Sequence, residues 1–113
     1  MKNILVRIVR LIEDGQPPLL ECELEDGAGS RHTFVEKEPI FTVRSPSGYP
    51  QIGFIRCEVL QRWKDPDGRE LVRVTTLRPD AVESTAGATE FTLFSDSILD
   101  GTWNDGSLTV PLK

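Results

Sequence analysis

The chain predicts an all-β single domain, either a small β-sandwich or a strongly curved, partly open barrel of about seven antiparallel strands with at most one short helical turn. Three observations carry that expectation. Short apolar, β-branched runs alternate with turns built from Asp, Gly and Pro, and no stretch keeps an amphipathic helical period for long. The third observation is the segment Gly53 to Arg78, in which two β-rich runs flank Asp65-Pro66-Asp67-Gly68. Pro66 presets the first central φ of a type I turn there, and Gly68 supplies the positive φ of a G1 bulge.

Length sets the scale of the core. A domain of 113 residues buries roughly two thirds of its unfolded surface, so residues 1–113 fit one domain that needs no disulfide staple. Hydrophobic residues make up 38% and charged residues 27%, the balance of an ordinary globule. No apolar run approaches the roughly 20 residues of a membrane-spanning helix, so no membrane partner is expected. The opening MKNILVRIVRLIEDG is interrupted by Arg7 and Arg10 and lacks a small-residue cleavage site, so it reads as a strand and not as an export signal.

Taken in order, Ile4 to Ile12 is an opening strand expected in the sheet interior, ended by Gly15-Gln16-Pro17-Pro18. Leu19 to Glu25 alternates Leu20, Cys22 and Leu24 with Glu21, Glu23 and Glu25, a half-buried strand with an acidic outer face. A turn at Asp26-Gly27-Ala28-Gly29 returns the chain into Ser30 to Glu36, with Cys22 facing Phe34, Leu24 facing His32 and Glu25 facing Arg31. Lys37 to Val43 reads as a short strand that Pro39 confines to an edge, and Arg44 to Gln51 as a loop carrying Tyr49.

The central hairpin admits two registers. A three-residue loop sets Asp65 against Arg69, Trp63 against Leu71, Leu60 against Val74 and Val59 against Thr75. A four-residue loop slips the pairing by one and brings Val72, Val74 and Thr76 onto the face of Ile55, Cys57, Val59 and Trp63. Either way a basic, partly apolar second face remains, with Leu60 beside Arg56 and Arg62. Trp63 is expected to be largely buried. Beyond the hairpin, Pro79 to Thr89 predicts one helical turn capped near Asp80, Glu90 to Phe94 a strand, and Ser107 to Leu112 a closing edge strand.

Chemistry is sparse. The one imidazole, His32, and the thiols Cys22 and Cys57 all fall on strands, where a thiol beside Phe34 is inaccessible and poorly ionised, so no catalytic residue is assigned. With no export signal, the thiols are expected to be reduced and buried in the cytoplasm, a bridge between the two strands being the alternative. The acidic groups Glu21/Glu23/Glu25 and Asp65/Asp67 lack the further ligands of a zinc or calcium site, and Gly27-Ala28-Gly29 opens no helix that could cradle a phosphate. No metal or cofactor is expected.

Charge points the same way. The net −5 divides into −2 over residues 1–53, +2 over 54–78 and −5 over 79–113, so the hairpin is locally basic in an acidic chain. The expected function is a non-enzymatic protein–protein interaction module, such as an adaptor, a complex subunit or an inhibitor of the immunity type. Arg56, Leu60, Arg62 and Tyr49 are its candidate partner-binding residues, and the partner is another protein or a second copy in a homodimer. One alternative is a small barrel that binds single-stranded nucleic acid, which the net charge disfavours. A second is an enzyme using paired carboxylates.

Overall fold

Strand β1 (Lys2–Glu13) is the spine of the sheet, because three other strands pair with it. The computed structural model describes residues 2–41 and 48–100, together with the backbone of 102–104 and 107–109. Along the chain follow β2 (Leu19–Glu25), β3 (Arg31–Lys37), α1 (Glu38–Phe41), β4 (Gln51–Lys64), β5 (Glu70–Thr75), β6 (Glu90–Phe94), a 3₁₀ turn (Ser95–Ser97) and β7 (Ile98–Asp100). The sheet order is β3-β2-β1-β4-β5-β6, every neighbouring pair antiparallel, and β7 joins β1 beside Lys2–Ile4. The result is the expected all-β domain, in the form of a single sheet curled into a half-barrel.

Period-2 alternation aims one set of side chains into the curl. Ile4, Val6 and Ile8 of β1, Leu20, Cys22 and Leu24 of β2, Phe34 of β3, Ile55 and Cys57 of β4, Val72 and Val74 of β5, and Phe91 and Leu93 of β6 form one buried cluster. The two sheet edges, β3 and β6, approach each other across a seam. Gly27 N–H donates to the Thr92 carbonyl and Thr85 N–H to the Thr33 carbonyl, both at 2.8 Å. Behind these bonds the Phe34 and Phe91 rings pack at 5.5 Å between centroids, and His32 meets Phe91 edge-on at 4.9 Å.

The β2–β3 register is the expected one, with Cys22 opposite Phe34, Leu24 opposite His32 and Glu25 opposite Arg31. Its turn and that of the central hairpin share one design. Asp26 Oδ1 accepts the N–H groups of Ala28 and Ser30, and Asp65 Oδ1 those of Asp67 and Arg69, all at 2.9 Å. Gly29 and Gly68 take φ of +83° and +81°, a left-handed conformation costly to other residues. Ser84 Oγ repeats the arrangement with Ala86 and Ala88, a turn the sequence reading did not anticipate.

The central hairpin starts in the three-residue-loop register and changes register along its length. Near its tip Trp63 faces Leu71 and Gln61 faces Arg73, as a three-residue loop requires; beyond Leu60, Val59 faces Val74 and Glu58 faces Thr75, a one-residue slip opposite in direction to that of a four-residue loop, which would set Val59 against Thr76. Leu60 is the extra residue of a β-bulge, which lets β4 bend while Val74 stays in the core with Ile55 and Cys57. The expected pairs Leu60–Val74 and Val59–Thr75 are thereby replaced. Trp63 is half-buried and not a core residue, because beyond the bulge its side shares a row with Leu71 and Phe94, away from Val72 and Leu93.

Three other expectations change. Glu38–Phe41 is a helical turn and not an edge strand: Pro39 in a first turn forfeits no hydrogen bond, and Phe41 is fully buried. Thr42 and Val43 lie outside the described residues, as do Arg44 to Ser47 of the predicted loop, while Gly48 to Pro50 are irregular and Gln51 already opens β4. Pro79 to Thr89 holds no helix. Thr76 pins that segment, its N–H donating to the Thr89 carbonyl and its buried hydroxyl to the Val82 carbonyl at 2.6 Å, and Val82 enters the core. Finally, Ser107–Thr109 (β9) pairs with Thr102–Asn104 (β8) in a separate two-stranded ladder instead of closing the main sheet; residues 110–112 lie outside the described residues.

Candidate interaction surface

The hairpin expected to bind a partner is laced with ion pairs made within the chain. Arg56 donates from Nε and Nη2 to both Asp80 oxygens, at 2.9 and 2.5 Å. Arg78 Nε donates to Glu58 at 2.8 Å, which holds the Glu58 carboxyl below its ordinary range. Arg62 lies 3.4 Å from Glu70, Arg73 lies 3.5 Å from Glu90, and the Arg69 guanidinium sits 3.5 Å over the Phe94 ring. Asp80 is therefore the carboxylate that answers Arg56, and no helix cap. A phosphate approaching the hairpin would have to displace carboxylates already in place.

Leu60, at the bulge, is 37% exposed. Tyr49 precedes β4 and packs against the core, where burial, reinforced by Glu38, pushes its hydroxyl up from its ordinary value. At about 3.3 Å per residue, roughly 35 Å of strand separates Tyr49 from Leu60. Arg56, Leu60 and Arg62 share one strand but not the one face expected, because the bulge at Leu60 leaves Arg56 on the side away from Ile55 and Cys57 and puts Arg62 on the side of its partner Val72; Tyr49 stands apart from all three.

The reactive side chains are occupied in packing. Cys22 and Cys57 are free thiols buried in the core; burial, reinforced by the neighbouring glutamates, drives Cys22 far up, and burial raises Cys57 to about 12. A thiol so poorly ionised is a weak nucleophile near neutral pH. His32 Nε2 lies 2.9 Å from Asp26 Oδ2 in the turn that closes the seam. Among the described residues no three of His, Cys, Asp and Glu are placed to hold a metal ion, and no helix is long and apolar enough to cross a membrane.

A different surface opens on the outer face of β1. Strand β2 stays paired with β1 only as far as Glu23 opposite Arg7, and β7 joins at Ile4 opposite Ile98. Between them Leu5 and Val6 have no strand partner on that side among the described residues, so the sheet forks. By strand alternation one of the two turns its N–H and C=O away from β4 and into the fork. A groove of ≈ 440 Å³ lies over it, with Leu5, Pro50 and Ile52 among its apolar residues and Arg7, Glu23 and Glu25 as its charged ones. Ile52 stands opposite Arg7 across the β1–β4 ladder and is 61% exposed, the most exposed of the large aliphatic side chains in the described part of the chain.

Sequence reasoning missed this groove. Ile52 is out of phase with Ile55 and Cys57, so alternation alone would have turned it outward, but its neighbours Leu5 and Glu25 depend on a strand order that no local pattern encodes. No protein-family model, curated protein or solved structure matches the chain.

Proposed function

We propose that the protein is a non-enzymatic interaction module that docks an extended segment of a partner protein in the fork between β2 and β7. The exposure of Ile52 over the groove is the observation that carries the reading: an apolar centre with a charged rim is the usual make-up of a protein interface. The gap in the ladder at Leu5–Val6, where neither β2 nor β7 supplies a strand partner, adds a place for an extended ligand to lie beside β1. The ion pairs of Arg56, Arg62, Arg73 and Arg78 weigh against docking of either an acidic patch or nucleic acid on the hairpin arm. Two buried, unbridged thiols support a reducing compartment, and the cytoplasm is the one we propose.

A photoreactive residue placed at position 52, and separately at position 60, tests the site in the native host. The reading expects a cross-linked adduct of defined mass from position 52 and none from position 60. An adduct from position 60 alone moves the working surface to the hairpin, and an adduct of twice the chain's mass identifies the partner as a second copy.

A further inference from the structure

On the reading that the fork is the docking site, we infer that its ligand is an extended peptide segment carrying a lysine or arginine next to an aliphatic or aromatic residue. The charges lining the groove are one arginine and two glutamates. Arg7 lies 3.9 Å from Glu23, which Arg31 also approaches at 3.8 Å from outside the main groove. Arg31 is the cross-strand neighbour of Glu25, yet its guanidinium turns to Glu23. Glu25 is thereby left exposed and without a cationic partner among the described residues, and it lines both the main groove and a smaller cleft of ≈ 260 Å³ beside it.

Two arginines thus converge on Glu23, and Glu25 is the carboxylate at the border of the apolar floor that no cation among the described residues contacts. A ligand cation meets Glu25 while the adjacent apolar side chain covers Leu5 and Ile52, and the segment must be extended to lie along the gap in the ladder. The net charge of −5 adds long-range attraction for the same kind of ligand.

Selection of a displayed library of random nine-residue peptides against the whole protein tests this without presupposing the ligand. Enriched sequences are expected to pair Lys or Arg with Leu, Ile, Phe or Trp. Affinity of the synthesised winners should fall roughly tenfold or more in Ile52→Asp and in Ile52→Thr, which keeps a strand-forming residue. It should fall about threefold in Glu25→Gln, the scale of an exposed ion pair, and should weaken with added salt. Winners that need Ile52 but are acidic, or are indifferent to Glu25→Gln, overturn the cation preference and leave the groove standing. Winners indifferent to both Ile52 substitutions, or no enrichment at all, overturn the docking site itself.

Discussion

His32 Nε2 stands 2.9 Å from Asp26 Oδ2, while Oδ1 of the same carboxylate holds the turn whose Gly27 N–H bonds to β6. One side chain thus ties the β2–β3 turn to its own strand and, through the turn, to the far edge of the sheet. Partial burial acts to raise the Asp26 carboxyl, but the contact with His32 and the N–H groups of Ser30 and Ala28 outweigh it and hold the group below its ordinary range. A depressed carboxyl contributes stability that is present above its unfolded value, about 3.9, and lost as pH falls through the folded value. Denaturation at a series of pH values should therefore show wild-type stability declining from about pH 5 toward pH 2, more steeply than that of Asp26→Asn, which keeps an oxygen for both N–H groups. Equal slopes would mean that the ionised carboxylate does nothing for the seam.

Gly53 of β4 packs against both β1 and α1. A Cβ built there would stand 3.1 Å from the Phe41 carbonyl oxygen and overlap the Ile8 side chain. Gly53→Ala is expected to cost about 1 to 3 kcal/mol, the usual penalty of overpacking, in a urea melt. A neutral result would show that α1 moves aside freely.

Trp63 is half-buried in a row with Leu71 and Phe94. Its replacement by Ala should cost roughly 1 to 2 kcal/mol, against the ~3 to 5 of a core aromatic such as Phe34. Equal losses at Trp63 and Phe34 in the same melt would place the tryptophan in the core after all.

Both thiols should resist alkylation in the native protein and react promptly in denaturant, since Cys22 and Cys57 are buried and their ionisation is suppressed. Fast labelling of either without denaturant would reveal an opening of the curl that the packing does not provide for.

The central hairpin shows how far local rules reach. Asp65 and Gly68 specify the three-residue turn, and the apolar pattern of Val72 and Val74 specifies that they share the face of Ile55 and Cys57, so both signals were legible and in conflict, while the direction of the slip that satisfies them was not. The chain reconciles them with one extra residue at Leu60, a tertiary solution that neither signal contains. Cys22, Phe34 and Leu24 found their partners from alternation and turn length alone, because a tight turn fixes register. Pro39 and Asp80 were misread for the opposite reason: Phe41 and Val82 draw their segments into the core, and Arg56 takes Asp80 from a distant strand. The fork was illegible, since it arises where β7, from near the far end of the described chain, takes the place of β2 beside β1.

The central claim is that the outer face of β1 and β4 at the fork is the working surface. The most direct measurement is an amide chemical-shift map of the isotope-labelled protein titrated with a selected peptide. The account predicts the largest changes at Leu5, Val6, Arg7, Glu23, Glu25 and Ile52, with Leu60, Arg62 and Arg73 unmoved. Changes centred on Arg56, Leu60 and Arg62, with the fork silent, would contradict it.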